Sequence, residues 1–266
     1  MALQLITTTA ITPPLVVIHG QEGVGKTTIA SCFPKPVFLQ LEDGCPAGLE
    51  IQSFGLLGTF YAVRTALSAL ATEEHDRRTV VIDNLDSLEA FIWNQACQDN
   101  GWTSIETPGY GKGYIAVEAY WLDILAAVDY LRRQRGMIVV LLAHSAIETI
   151  NDPRAPSYTS YQLRIHKRAR GLVQDRADVI AFLASDIHVQ SEDQGFNRKR
   201  NRAGGDSSRW LHLEARPSFT AKNRYSMPAK IAIPKNLDYG ATLAPYFPGR
   251  VGNEEITRHC PKRTKE

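Results

Sequence analysis

The stretch LVVIHGQEGVGKTTIASCF, residues 15–33, limits what this chain can fold into more than any other feature. An apolar run at 15–19 reads as a short buried strand, followed by a glycine-rich turn and a helix beginning near Gly25. Gly20, Gly25, Lys26 and Thr27 satisfy the pattern G-x-x-x-x-G-K-[ST] in full. The glycines let the backbone curl so that consecutive N–H groups face one anion. The helix N-terminus adds its partial positive charge. Gln21, Glu22, Gly23, Val24 and Thr28 complete the cradle. In it Lys26 reaches the β- and γ-phosphates and the Thr27 hydroxyl ligates Mg²⁺. The chain is therefore expected to bind a nucleoside triphosphate, ATP, with Mg²⁺.

A loop of this kind predicts a carboxylate at the end of a neighbouring apolar strand, holding the metal through water. In RRTVVIDNLDSLEAF a strand over 79–82 ends at Asp83. Asp86 is a weaker competitor, because it lies past the strand and with Ser87 suits the cap of the next helix. Leu88, Phe91, Ile92 and Ala96 recur there at helical spacing. KPVFLQLEDG gives another strand, 37–41, ending in Glu42 and Asp43. Set beside the phosphate-loop strand in a parallel sheet, Glu42 is placed to orient the attacking water, with Asp43 as second choice. A fourth strand, GMIVVLLAHS, delivers His144 at its C-terminal edge. A polar residue there senses the γ-phosphate and reports it to the loop that follows.

Composition agrees with a packed α/β domain: 44% of the 266 residues are hydrophobic and 22% charged. The expected organisation is an N-terminal arm at 1–14, a core at 15–236 and a C-terminal tail at 237–266. The sheet is expected to be mostly parallel and twisted, flanked by helices and extended by antiparallel strands after Asp178. No apolar run approaches the roughly 20 residues that span a bilayer, and MALQLITTTAITPP does not read as a signal peptide. Cys32, Cys45, Cys97 and Cys260 are scattered without metal-ligand spacing, so free thiols in a cytoplasm, that of a bacterial host, are expected. The net charge of +2 is uneven. Residues 161–230 carry 14 Lys and Arg against seven Asp and Glu, which leaves the rest of the chain acidic. A basic face of this kind suits a polyanion.

The order of elements resembles the RecA-like ATPase core: phosphate loop, glutamate-tipped second strand, aspartate-tipped third, histidine-tipped fourth, then a long polar loop. AAA+ modules usually carry Asp-Glu in the third strand, where this chain has Asp83-Asn84. More narrowly, the chain resembles phage-encoded RecA-like recombination ATPases that act as single-strand annealing proteins. The stretches that carry this are VVIDNLDSLE with GYGKGY (109–114), HKRARGLVQDRADVIAFL (166–183) and LHLEARPSFTAKNRYSMP (211–228). The resemblance implies ATP bound at a subunit interface, with Lys222 and Arg224 of one copy set against the γ-phosphate of its neighbour. It thus implies a head-to-tail homo-oligomer, ring or helical filament.

Two long connections are candidates for nucleic acid. In the first, Tyr110, Lys112 and Tyr114 alternate rings, a cation and glycines, which suits stacking on bases and pairing with phosphates. The second, 147–171, follows His144. Its Pro and Ser content up to Ser160 predicts irregular structure, with a helix then carrying Arg164, Lys167, Arg168 and Arg170. Arg154 and Tyr158 belong to the same candidate surface. The resemblance implies that such loops line a central axis and grip single-stranded DNA. The segment 196–210 reads as a basic hairpin tip, either an auxiliary clamp or a solvated turn. The expected function is a DNA-dependent ATPase that binds single-stranded DNA for annealing or strand exchange, with a single-strand-binding protein as a candidate partner. The alternatives are a ring helicase or translocase on the same core, and a nucleotide-gated DNA-binding protein with negligible turnover.

Overall fold

In a computed structural model of the chain, which describes residues 12–193, 199–234 and 236–248, the apolar strand runs at 15–20, 79–82 and 138–144 are buried on both faces. β1 (Leu15–Gly20) leads through the glycine-rich turn into α1 (Lys26–Ala30), then β2 (Pro36–Gln40), β3 (Ser53–Leu56), α2 (Phe60–Thr72) and β4 (Thr79–Asp83). α3 (Leu85–Asn100), α4 (Lys112–Ala116) and α5 (Glu118–Gln134) precede β5 (Ile138–Ile150) and β6 (Tyr158–Leu163). After α6 (Lys167–Arg176) come β7 (Val179–Asp193), β8 (Lys199–His212), β9 (Lys222–Asn223), β10 (Lys230–Ile233) and α7 (Tyr239–Thr242). The sheet order is β10-β8-β7-β1-β5-β4-β2-β3, with β6 paired to β5 and β9 to β7. β7, β1, β5, β4, β2 and β3 run parallel, and β8, β9 and β10 form the antiparallel extension. The expected α/β class holds.

Successive strand residues point to opposite faces, and β1 divides its apolar side chains accordingly. Leu15 and Val17 join Leu39, Val80, Ile82, Val139 and Leu141 under α2, α3, α5 and α6, whose Leu67, Leu88, Ile92, Trp121 and Val128 close that side. Val16 and Ile18 join Phe38, Val81, Val140 and Leu142 on the other face, covered by Ile29 and Phe33 and by Leu211, Leu237, Tyr239 and Leu243. The C-terminal segment expected as a tail from 237 thus contributes to the core, and 249–266 lie outside the described residues. The same is true of residues 1–11 and 194–198; the segment 196–210 expected as a hairpin tip is instead mostly strand, because β8 already pairs with β7 from Lys199 opposite Asp193.

Three expectations change. β2 is not the neighbour of β1: β5 and β7 flank β1, and β4 stands between β5 and β2. Irregular structure is confined to 151–157, because β5 continues past His144 and pairs antiparallel with β6, from Ser145 opposite Leu163 to Ile150 opposite Tyr158. The prolines and serines that suggested a loop, Pro153, Pro156 and Ser157, sit in the hairpin turn instead. α6 starts at Lys167, so Arg164 lies before the helix and not on it.

Asp178 pins the N-terminal ends of the strands. Its carboxylate accepts from the backbone N–H of Leu15 (3.0 Å), from Arg132 and from Nη1 of Arg224 (3.2 Å). Arg132 also donates through Nε to the Pro13 carbonyl (2.8 Å) and through Nη1 to Asp129 (3.1 Å). One nearly buried carboxylate therefore ties β1, α5 and β7 together. His19, wholly buried in β1, shares hydrogen bonds with Ser145 Oγ (2.9 Å) and the Thr220 carbonyl (2.8 Å). Burial pushes its imidazole down to about 4, so it is neutral at neutral pH.

Removing one partner of a buried ion pair leaves the other charge uncompensated. Asp178→Ala should cost about 3–5 kcal/mol, and Asp178→Asn less because an acceptor remains. The midpoint of urea unfolding for the two variants checks this.

Candidate functional site

The glycine-rich turn is shaped for close approach. Gly23 (φ 70°) and Gly25 (φ 99°) occupy the left-handed region, where a side chain would be strained. A Cβ on Gly25 would also run into the guanidinium of Arg209, and one on Gly20 into the Leu183 carbonyl. Lys26 folds back over the turn, its ammonium donating to the carbonyls of Gly20 (3.2 Å) and Gln21 (3.0 Å). Burial holds that ammonium below its ordinary value, while the charges of Asp83, Asp86, Glu42 and Glu22 oppose the shift. Four carboxylates thus act on one lysine.

Thr27 Oγ1, in the first turn of α1, donates to Asp83 Oδ2 at 2.8 Å, although β5 separates β1, which leads into that helix, from β4. Burial pushes the Asp83 carboxyl above its ordinary value against the Thr27 hydrogen bond. A hydroxyl and a carboxylate at this spacing are hard oxygen donors that fit Mg²⁺ alongside phosphate oxygens and water. Among the described residues there is no group of three or more His, Cys, Asp or Glu that would hold a metal without such added ligands. Glu42 lies just past β2, lining a small cleft with Thr27, Gln40 and Asp83, and its charge acts on both Asp83 and Lys26. The exchange of β1's neighbours therefore does not remove Glu42 from the site. The position is two strands further from β1 than anticipated.

His144 stands opposite Gly20 in the β1–β5 register. Its backbone N–H donates to Asp86 Oδ2 (2.9 Å), and its Nδ1 lies 3.4 Å from the same oxygen. Asp86 is thus not the cap of α3. That role falls to Asn84, whose Oδ1 accepts from Ser87 N (3.0 Å). Burial works to raise the Asp86 carboxyl, but hydrogen bonds from His144 and Arg164 outweigh it and hold it below its ordinary value. Arg164 completes the cluster: Nε donates to Asp86 Oδ1 (2.7 Å), Nη1 to Glu22 Oε1 (3.0 Å), and Nη2 meets His144 Nδ1 at 3.0 Å. Sequence spacing could not reveal this group, because the β5–β6 hairpin folds Arg164 back beside a residue 20 positions earlier.

The other expected residues fall elsewhere. Lys222 and Arg224 sit at the N-terminal ends of the strands, about 10 and 16 Å respectively along the strand direction from Gly20. Lys222 faces Ile180 in register and donates to the carbonyls of Gln174 (2.6 Å) and Asp175 (3.3 Å), and Arg224 joins it on Asp175 O (3.2 Å). Tyr110 is fully exposed, but Tyr114 is not a free ring: it stacks on His166 with centroids 4.2 Å apart and bonds Glu106. Lys112 and Lys167 are exposed, and Tyr158 opens β6. Arg154 closes on Asp152 within the hairpin turn (2.9 and 3.0 Å). Arg168 pairs with Glu118 (2.7 Å) and Arg170 with Glu148 (2.5 and 2.8 Å). Among the described residues, Arg154, Arg164, Arg168 and Arg170 are thus each paired with a carboxylate of the same chain.

The family model described as AAA domain matches residues 12–225, which span every strand of the parallel core. A curated relative, the "SPbeta prophage-derived uncharacterized protein YorG" of Bacillus subtilis (strain 168), is 22% identical over 176 residues. That match covers 64% of this chain and 50% of the relative, so the chain spans about half its relative's length. Asp83-Asn84 in place of Asp-Glu therefore does not set the chain outside families described as AAA. No helix among the described residues is long and apolar enough to cross a membrane.

Glu89, one turn beyond Asp86, holds the start of α6 by accepting from His166 N through both oxygens (3.0 and 2.9 Å). Burial pushes its carboxyl up to about 7, Asp86 adds to the rise, and the His166 bond opposes it. The folded chain therefore grips this proton more tightly than the unfolded one. The resulting stability is full below about 4.5 and is lost as pH rises through about 7. Glu89→Gln keeps an acceptor for His166 N without the proton. Its stability relative to wild type should rise by on the order of 3 kcal/mol between pH 4 and pH 8 in denaturation series, and a constant difference would contradict the assignment. Asp83→Asn should cut Mg²⁺-dependent ATP turnover about 100-fold or more while sparing ATP binding in EDTA. Turnover and fluorescent-nucleotide binding, each with and without the metal, check it.

Proposed function

Because the chain belongs to the AAA domain family, P-loop ATPases matched here over residues 12–225, we propose that it hydrolyses ATP and uses nucleotide state to control binding of single-stranded DNA, for annealing or strand exchange in phage recombination. The observation that carries this reading is the continuity of His144 with the β5–β6 hairpin. The residue that faces the phosphate loop and the arm that leaves the sheet are one uninterrupted strand. A change at the triphosphate therefore has a stiff route to the hairpin turn, where Pro153, Arg154 and Ser157 are exposed.

In this reading Gly20, Gly25 and Lys26 bind the phosphates. Mg²⁺, held by Thr27 and through water by Asp83, would supply charge neutralisation between the β- and γ-oxygens. Glu42 orients the attacking water, and its exposure beside the Thr27–Asp83 pair supports that role. Lys222 and Arg224 act on a neighbouring copy. Their distance from the chain's own phosphate loop and their position at the opposite pole of the strands fit a head-to-tail contact, in which each nucleotide is shared by two copies. The narrower kinship with RecA-like annealing ATPases belongs to this proposal, as does the DNA dependence. The relative's name adds a prophage setting for that relative, in keeping with a phage role here.

Turnover should rise with added single-stranded DNA, and complementary strands should pair faster when ATP is present. Lys222→Ala with Arg224→Ala should lower turnover by about 10²–10³-fold or more with ATP binding kept. Mixing that variant with Lys26→Ala should restore activity, because one of the two mixed interfaces carries an intact loop and intact cations. Turnover that stays at full speed in a strictly monomeric population overturns the shared site. Unwinding of a tailed duplex without annealing would favour a helicase, and background turnover with and without DNA a nucleotide-gated binder.

A further inference from the structure

Arg164 was anticipated on a DNA-facing helix, yet its guanidinium points at the phosphate loop. Its backbone is fixed there, since Arg164 N donates to the His144 carbonyl (2.9 Å) at the foot of the hairpin. The two carboxylates it holds are unequal. Asp86 has a side chain 13% exposed, is anchored by a second donor, His144 N, and bonds Arg164 Nε. Glu22 is a residue of the phosphate loop itself, its side chain is 72% exposed, and its carboxylate accepts from Nη1 of Arg164. An exposed pair of that kind contributes about 0–1 kcal/mol, whereas an arginine on a phosphate makes a stronger, charge-assisted contact. A carboxylate in an anion-binding loop is also repelled by the anion.

We propose that Arg164 is a nucleotide-sensing cation of this chain's own site, held by Glu22 until the terminal phosphate of a nucleoside triphosphate takes Glu22's place. The Asp86 bond persists through the exchange and keeps the guanidinium aimed. The Nη2 contact with His144 Nδ1 (3.0 Å) brings the imidazole into the same cluster, so that a shift of the guanidinium is felt there too. The hairpin is reached from both strands, through His144 on β5 and through Arg164 directly after β6. Gln21 of the same loop adds a parallel link, its Nε2 donating to Tyr161 Oη at 3.3 Å. This inference rests on the triphosphate site at Lys26. It uses neither the DNA surface nor the shared interface.

The test is equilibrium binding of ADP and of a non-hydrolysable ATP analogue to the full chain and four variants. Arg164→Ala should weaken the analogue about 10–100-fold and ADP less than about threefold, since only the former carries the terminal phosphate. Arg164→Lys keeps the charge but loses the fork, and should fall between the two. Glu22→Gln should tighten the analogue about threefold in the presence of Arg164 and leave it unchanged in the Glu22→Gln/Arg164→Ala double variant. Equal losses for both nucleotides would reduce Arg164 to a structural tie and overturn the inference. So would an effect of Glu22→Gln that is the same with and without Arg164. Should Arg164→Ala fail to fold, the ratio of the two affinities in Arg164→Lys and the Glu22→Gln arm decide the matter. A wild-type chain that binds neither nucleotide overturns the phosphate site, and this inference with it.

Discussion

Parallel pairing of β5 with β1 on one side and β4 on the other is the constraint on which the site depends. It sets Gly20 level with His144, and Asp83 level with Leu142, so that the phosphate loop, Asp83 and His144 share one edge of the sheet. The three strands reach that edge as uninterrupted runs of Val, Ile and Leu buried on both faces. A one-residue slip would send each side chain to the opposite face. Because Val80, Val81, Val139 and Val140 are all buried in alternating halves of the core, register is fixed by packing well away from the site. The Thr27–Asp83 hydrogen bond, which reaches across β5, is a consequence of that register and not its cause.

Carboxylates outnumber the cations bonded among them at that edge. Glu22, Glu42, Asp83 and Asp86 all act on Lys26, and Arg164 is the other cation bonded within the group. Such a cluster is self-consistent without ligand because the cations are shared: Lys26 rests on loop carbonyls, and Arg164 on two carboxylates. Introducing a triphosphate must redistribute these contacts, since both cations would be drawn to it. The carboxylates best able to leave are the exposed ones, Glu22 and Glu42, while Asp83 and Asp86 stay in place through their bonds to Thr27 and His144.

The phosphate loop, Asp83, Glu42 and His144 were legible in the sequence because each follows directly from a strand that its own apolar run announces. The sheet order was not, since nothing in residues 36–40 says which strand they will pair with, and β5 occupies the place beside β1 given to β2. Arg164 and Asp86 were misread for a related reason. Their roles arise from a hairpin that closes 20 residues of chain, and Pro153 and Pro156 hid that hairpin by suggesting disorder across a segment of which only the turn is irregular. Tyr114 shows the opposite error: a motif of rings and glycines looks ready for bases, yet the fold gives its ring to His166. Local chemistry was readable, and pairing across distance was not.

The two ends of the parallel strands carry opposite kinds of machinery, and this bears on how copies meet. At the C-terminal ends Glu22, Glu42, Asp83 and Asp86 act on Lys26, and Arg164 bonds two of them. At the N-terminal ends Arg132, Arg176, Arg224 and Lys222 gather around Asp129, Asp178 and two backbone carbonyls. Arg132 is committed to Asp178 and to the packing of β1, so it cannot leave without cost. Lys222 and Arg224 are committed mainly to carbonyls at the end of α6 and to an Asp178 that Arg132 already neutralises, so they are the cations free to exchange partners. A second copy presenting a bound triphosphate would offer them a stronger anion than a helix C-terminus does. That asymmetry, a fixed arginine below and exchangeable cations above it, makes a head-to-tail contact at this pole compatible with an intact fold, because the groups that hold the sheet together are not the groups that would change hands.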